Sequence, residues 1–148
     1  FIGRFLPNLT VQGYGIASYA HSLLKQFKGE WEYDTNWKMI NGHPKKAGWI
    51  KAIQEGQRKV RKGLHLDCPV LVMSSDKSYP ETKEWHNEYL SSDIVLDVHD
   101  IQKYAPKLGE YVTRDTIPNG IHDLILSEKE SRDHTYRTVF DWMNRKGF

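Results

Sequence analysis

The sequence of 148 residues has one cysteine, no long apolar run and almost no net charge. Because Cys68 is the only cysteine, an internal disulfide and a metal site built from several thiolates are both excluded. We expect Cys68, at the entry of the apolar run "LDCPVLVM", to be a buried and inert thiol. The 21 basic and 19 acidic residues give a formal net charge of +2. That balance argues against a nucleic-acid partner or a membrane surface.

Several targeting and binding signatures are also missing from the sequence. No apolar segment approaches the roughly 20 residues that a membrane span needs. A signal-peptide pattern is lacking, so the expected location is the cytoplasm. A P-loop, a G-x-G-x-x-G fingerprint and a metal-ligand spacing of histidines are absent too, so we expect no cofactor and no metal. The first residue is Phe1, which indicates either processing or a place within a longer protein.

The first part of the chain, residues 1–66, is rich in Trp, Tyr, Gly and Lys. Apolar residues at helical spacing predict a helix over 16–27. The stretch "EWEYDTNWKMINGHP" has large aromatics without a clean period and predicts an irregular loop. A second helix is predicted over "GWIKAIQEGQRKVRK", with Gly63 ending it.

The second part, residues 67–148, alternates strands and helices and therefore predicts an α/β fold. The run "CPVLVMSS" predicts an interior parallel strand with both faces covered, and "YVTRDTIP" predicts another strand. Helices are predicted in "PETKEWHNEYL", after Asp97 and near the end of the chain. Because two strands cannot form a stable covered parallel sheet, this part looks like the trailing edge of a larger sheet. Its exposed edge favours a homo-oligomer or association with an N-terminal half that is missing from this sequence.

The most informative single residue is His122, in "IPNGIHDLILS" just beyond the second predicted strand. Functional groups of open α/β sheets gather beyond the carboxyl ends of strands. A histidine there can act as a general base if a carboxylate orients it. The candidate carboxylates are Asp76, Asp93, Asp97 and Asp100. Spacing alone does not choose among them, since Asp97 and Asp100 also suit the start of a helix.

The segments "CPVLVMSSDKS", "SSDIVLDVHDI", "LGEYVTRDTIPNGIHDLILS" and "YRTVFDWM" together resemble the C-terminal part of an α/β-hydrolase. The similar enzymes are the monoglyceride lipases, lysophospholipases and serine aminopeptidases. The resemblance implies that Asp93, in "DIVLD", is the catalytic acid and that His122, in "GIHDL", is the base. The common pattern places the acid directly after the "PVLVL" strand. Here "DKSYPETKEWHNEYLSS" intervenes, so Asp76 and Asp97 remain substitutes.

The same resemblance implies a role for the first 66 residues as a helical, aromatic-rich cap before the C-terminal portion of the hydrolase sheet. Trp31, Trp37 and Trp49 would then line an apolar acyl pocket, or alternatively pack the core of the cap.

The nucleophile of such an enzyme is missing, because no G-x-S-x-G occurs in the sequence. The nearest text, "GIASYA" around Ser18, lacks the second glycine. The resemblance therefore implies a serine hydrolase of carboxylic esters or lipids, to which this chain contributes acid and base. Its substrate would be a small ester or lipid-like molecule. The alternatives are a non-catalytic binding module of the same origin and an acyltransferase or thioesterase.

Overall fold

The computed structural model describes residues 2–147 as a mixture of helices and small sheets. The helices are α1 Ile2–Phe5, α2 Ser18–Leu23, α3 Ala47–Lys62, α4 Val98–Tyr104 and α5 Lys129–Lys146. The strands are β1 Thr10–Gln12, β2 Lys45–Lys46, β3 Val70–Ser75 and β4 Val112–Ile117. Single 3₁₀ turns cover Asn87–Leu90, Ala105–Leu108 and Leu124–Leu126. The α/β character predicted from the sequence is confirmed. Within residues 2–147, no helix combines the length and apolarity that crossing a bilayer requires.

Strands β3 and β4 form a parallel pair in continuous register, from Val70 opposite Val112 to Ser75 opposite Ile117. Helix α4 lies in the connection between them, as parallel strands require a crossover. Both predicted strands are thus present and parallel. Their carboxyl ends lie at the same edge of the sheet, so the loops that follow Ser75 and Ile117 are neighbours.

Strand β3 is less buried than the sequence predicted. The residues from Val70 to Met73 are only partly buried within the described chain, while Ser74 and Ser75 at the end of the strand are buried. Two fully covered faces are therefore not observed in residues 2–147. Burial is concentrated at the carboxyl end, where the strand meets the loops. Cys68, which lies before β3, is exposed, so its predicted burial is wrong.

Helix α5 packs back on β4 and on the loop that follows it. Trp142 Nε1 donates a hydrogen bond to Thr113 Oγ1 on β4 at 3.0 Å. Ser131 Oγ donates to the carbonyl of Pro118 at 2.7 Å, one residue beyond the end of β4. The final helix therefore fixes the start of the loop that carries His122.

The helix predicted over residues 80–90 is wrong, since only the turn Asn87–Leu90 is helical. Tyr89 is fully buried, and its hydroxyl accepts a hydrogen bond from the Thr82 amide and donates to the Glu84 carbonyl. The Glu84 carbonyl is thereby bonded to a side chain, whereas a helix would bond it to the amide four residues later. Trp85 and Tyr89 do contact each other, at a centroid distance of 5.4 Å, but they do so across a loop.

The first part of the chain follows its predictions more closely. Helix α3 spans the predicted stretch, and Gly63 ends it with φ of 105°, a conformation that favours glycine. Helix α2 is shorter than predicted, because Leu24 turns into an extended conformation and forms a bridge with Trp31. Residues 32–44 contain no helix or strand, in agreement with the predicted irregular loop.

We predict that Tyr89→Phe lowers the free energy of unfolding by about 1–3 kcal/mol, because the fully buried side chain loses the hydroxyl that hydrogen-bonds to the Thr82 amide and the Glu84 carbonyl. Urea denaturation measures this difference. Tyr111→Phe is the matched control, since Tyr111 is 52% exposed and is expected to change stability by less than about 0.5 kcal/mol. Equal effects of the two substitutions would contradict the role given to Tyr89.

Candidate active site

His122 is presented by a tight loop that folds back on the end of β4. The Gly120 amide donates a hydrogen bond to the Ile117 carbonyl at 3.1 Å. A Cβ on Gly120 would lie 2.7 Å from Leu124 Cδ2 and 3.1 Å from the Ile117 carbonyl oxygen, so a side chain there would require the Leu124 side chain to shift. Asn119 adopts φ of 55°, which asparagine tolerates better than most residues. Ile121 is buried and anchors the loop directly before the histidine.

Asp93 reaches this edge of the sheet although segment 76–92 separates it from β3. The Asp93 amide donates to the Lys77 carbonyl, and the Tyr79 amide donates to the Asp93 carbonyl, each at 3.0 Å. These two bonds form a parallel bridge between Ser78 and Asp93. The intervening segment is therefore a loop closed at its base, and it returns the chain to a point just beyond β3.

The two side chains meet in a hydrogen bond between His122 Nδ1 and Asp93 Oδ2 at 3.0 Å. The Asp93 side chain is 3% exposed and that of His122 is 29% exposed. Asp93 Oδ1 accepts hydrogen bonds from the amides of Val95 and Leu96, both at 2.8 Å. One carboxylate oxygen is thus held by the backbone, and the other is directed at the imidazole.

These contacts shift the pKa of both groups. Burial raises the pKa of Asp93, but the hydrogen bonds from His122 and from the amides of Leu96 and Val95 outweigh it and hold the pKa below its usual value. The hydrogen bond to Asp93 raises the pKa of His122, against the opposing effect of burial. The charges of Asp93 and Asp123 raise the pKa of His122 further, and that of Lys38 lowers it. Asp93 is therefore an anion that favours the imidazolium form of its partner.

The second ring nitrogen of His122, Nε2, has no hydrogen-bond partner among residues 2–147. When Nδ1 donates to Asp93, the neutral imidazole carries its lone pair on Nε2. The side chain is partly exposed, so this nitrogen is open to another reactant. The arrangement can take up a proton at Nε2 while Asp93 stabilises the positive charge.

The rival carboxylates have other partners. Asp76 Oδ1 accepts from the amide of Asn119 and so joins the loops that follow the two strands. Asp97 is the N-cap of α4 and accepts from the amide of His99, as the sequence indicated. Asp100 lies in the first turn of α4. Among the four candidates, Asp93 is the one that contacts His122.

Sequence reasoning missed Tyr19 and Lys38, which lie beside His122. The Tyr19 ring meets the imidazole edge-on, with centroids 5.9 Å apart. Its hydroxyl donates to Asp123 Oδ2 at 2.8 Å and accepts from the Asp123 amide at 3.0 Å. Lys38 Nζ lies 2.9 Å from the same carboxylate oxygen. Tyr19 is 103 positions before His122, and no sequence pattern signals this contact.

A cavity of about 440 Å³ adjoins the pair. Tyr19, Tyr33, Trp37, Lys38, Ile94 and Val95 are part of its lining. Two of its lining residues contact the pair: the Tyr19 ring packs against the imidazole, and the Val95 amide donates a hydrogen bond to Asp93. Its size lies within the range of small-molecule pockets. We name it the Tyr19 cavity.

The three tryptophans proposed to bind substrate lie in different places. Trp37 lines the Tyr19 cavity and is 87% exposed. Trp31 donates from Nε1 to the Leu126 carbonyl and lies under the Arg132 guanidinium, so it braces the segment after His122. Trp49 lies on α3 and is 54% exposed. Of the three, Trp37 is the one that the structure places beside the candidate site.

Comparison of the chain with protein-family models, with curated proteins and with solved structures gave no match. In residues 2–147, no group of three or more His, Cys, Asp or Glu side chains is arranged to hold a metal ion.

We predict that Asp93→Asn lowers the pKa of His122, because the carboxylate that stabilises the imidazolium is lost while the acceptor for the Val95 and Leu96 amides is kept. An NMR titration of the His122 ring measures the shift. Asp76→Asn is the matched control and is expected to leave the titration unchanged, since Asp76 does not contact the imidazole.

The effect of Asp93→Asn on the free energy of unfolding is expected to depend on pH. The lowered pKa of Asp93 stabilises the fold above the usual aspartate value of 3.8, and this contribution is lost as the pH falls through the lowered pKa. The raised pKa of His122 stabilises the fold below the usual histidine value of 6.5, and this contribution is lost as the pH rises through the raised pKa. The free energies of unfolding of wild type and Asp93→Asn should therefore differ most between pH 3.8 and pH 6.5. Urea denaturation across this range measures the difference, and a constant difference from pH 3 to 9 would count against the pair.

Proposed function

We propose that this chain supplies the acid and the base of a serine hydrolase that cleaves carboxylic esters. The observation that carries the proposal is the hydrogen bond from His122 Nδ1 to the buried Asp93, together with the open Nε2 on the other side of the ring. A histidine held in this way is suited to take a proton from a hydroxyl nucleophile at neutral pH.

In the proposed reaction, a serine hydroxyl attacks the ester carbonyl and His122 Nε2 takes the hydroxyl proton. The tetrahedral intermediate then expels the alcohol, which receives this proton from His122. Water repeats the sequence on the acyl-enzyme, with His122 again as base, and releases the carboxylic acid. Asp93 remains ionised throughout and stabilises the imidazolium that forms in each half-reaction.

The nucleophile in this proposal lies outside the 148 residues. The sequence has no G-x-S-x-G, and no serine hydroxyl of the described chain hydrogen-bonds to His122. We assign residues 67–148 to the C-terminal portion of an α/β-hydrolase sheet, and residues 1–66 to its cap. Support for the cap comes from α2 and the loop of residues 32–44, whose side chains Tyr19 and Lys38 reach the His122 loop.

The substrate is proposed to be a small ester or lipid-like molecule whose acyl part enters the Tyr19 cavity. Apolar side chains such as Trp37, Ile94 and Val95 suit a hydrocarbon group. Thioesterase and acyltransferase chemistry would use the same acid and base. Turnover of matched oxygen esters and thioesters, with and without an added alcohol acceptor, distinguishes the three reactions.

A non-catalytic binding module is the second candidate, favoured by the lack of a nucleophile in the sequence. Such a module would keep the Tyr19 cavity as a ligand site and would have no need of a free Nε2 on His122. The experiment on His122 therefore separates the two functions.

We predict that His122→Ala in the complete protein lowers kcat/KM for p-nitrophenyl butyrate by three orders of magnitude or more, since loss of one member of a triad removes most of its catalysis (on the order of 10³ to 10⁶). His99→Ala is the matched control, because His99 is exposed and lies on α4. Near wild-type turnover in the His122 variant would rule out the proposed base.

We also predict that Trp37→Ala raises KM for p-nitrophenyl octanoate more than for p-nitrophenyl acetate, because Trp37 lines the Tyr19 cavity. Loss of an apolar contact of this size is expected to change KM by roughly 10-fold. Trp49→Ala serves as the comparison, and a larger effect there would place the acyl group elsewhere.

A further inference from the structure

We propose that Tyr19 is a positioning residue for His122, holding the catalytic loop through Asp123 from the cap side. The inference rests on the proposed function and adds to it a residue 103 positions away in the sequence. His122 would then be fixed from two directions, by Asp93 at its Nδ1 and by Tyr19 at its ring and at the following residue.

The Tyr19 hydroxyl makes two hydrogen bonds to the same residue. It donates to Asp123 Oδ2 at 2.8 Å and accepts from the Asp123 amide at 3.0 Å. Asp123 directly follows His122, so these bonds fix the backbone on the C-terminal side of the histidine. Bonding both the amide and the carboxylate of one residue restrains the position and the orientation of the loop together.

The Tyr19 ring adds a direct contact. It meets the imidazole nearly perpendicularly, at an interplanar angle of 78° and a centroid distance of 5.9 Å. Such edge-on packing favours one orientation of the imidazole ring. The ring plane decides where Nε2 and its lone pair point. A small rotation of the imidazole would lengthen the path to the nucleophile, and such misplacement is costly for proton transfer.

Lys38 contacts both Asp123 and Tyr19 and adds a positive charge beside them. Its Nζ lies 2.9 Å from Asp123 Oδ2 and 5.2 Å from the centroid of the Tyr19 ring. Burial and the Asp123 carboxylate raise the pKa of Tyr19 well above its usual range, so its hydroxyl keeps the proton that it donates. The ammonium of Lys38 also offsets the effect of the Asp123 charge on His122. Within the cluster, Asp123 and Lys38 therefore act on the pKa of His122 in opposite directions.

The charged and titratable groups around the histidine come from four segments of the chain. Asp93 approaches from the loop after β3, Asp123 from the loop after β4, and, in the first part of the chain, Lys38 from the loop of residues 32–44 and Tyr19 from α2. The first part thus contributes contacts to the base itself. Movement of α2 away from the loop would release the two hydrogen bonds of Asp123.

Tyr19→Phe in the complete protein tests the proposal, because it removes the hydroxyl and keeps the ring. We expect kcat for p-nitrophenyl butyrate to fall by roughly 10- to 100-fold, with KM within about twofold of wild type. The Nδ1–H proton resonance of His122 should broaden as the ring gains freedom. Tyr14→Phe is the matched control, since Tyr14 is 62% exposed and its hydroxyl makes no hydrogen bond within residues 2–147.

A merely structural role predicts a different result. Tyr19→Phe would then lower Tm while kcat and the Nδ1–H resonance stayed as in wild type, and this outcome would overturn the proposal. Should Tyr19→Phe fail to fold, Asp123→Ala breaks the side-chain bond from the other end and must show the same selective loss of kcat. Asp123→Asn keeps an acceptor for the Tyr19 hydroxyl, so it should retain most of kcat.

Failure of this inference is separable from failure of the proposed function. If His122→Ala abolishes turnover and Tyr19→Phe does not reduce it, the base is correct and the positioning role is wrong. If His122→Ala retains turnover, the proposed base is wrong, and Tyr19 has no catalytic residue to position.

Discussion

The parallel pairing of β3 with β4 is the constraint on which the site depends. Its register places Ser75 opposite Ile117, so the loops after both strands begin side by side. Asp76 strengthens this junction by accepting from the Asn119 amide across it. A shift of the register by one residue would move one loop by about 3.3 Å along the sheet. A displacement of that size would break the hydrogen bond between Asp93 and His122.

A second constraint is the closed base of the loop formed by residues 76–92. The bridge between Ser78 and Asp93 makes the length of the loop unimportant for the position of the acid. Inside the loop, buried Tyr89 occupies backbone groups of Thr82 and Glu84 and gives the segment a core of its own. The acid can therefore follow a long insertion and still reach the histidine. The first part of the chain then restrains the histidine from the opposite side.

Prediction from the sequence succeeded where local periodicity decides structure. Both long strands and helix α3 could be read from apolar runs and from Gly63. The helix predicted around Tyr89 was wrong, because side-chain hydrogen bonds to the backbone outweighed its helical spacing. Spacing alone left the choice among four aspartates open, because the bridge from Ser78 that brings Asp93 to the histidine is not encoded locally. The role of Tyr19 could not be predicted for the same reason, since its partner Asp123 lies 104 residues away in the sequence.

The most direct test of the central claim is fluorophosphonate labelling of the complete protein, followed by intact mass and peptide mapping. In this reaction a serine oxygen attacks phosphorus and fluoride leaves, so labelling reports a serine activated by a base. The proposed mechanism predicts one adduct, on one serine outside the 148 residues, with a labelling rate that drops by orders of magnitude in His122→Ala. No adduct on the complete protein, or an adduct formed equally fast in that variant, would contradict it.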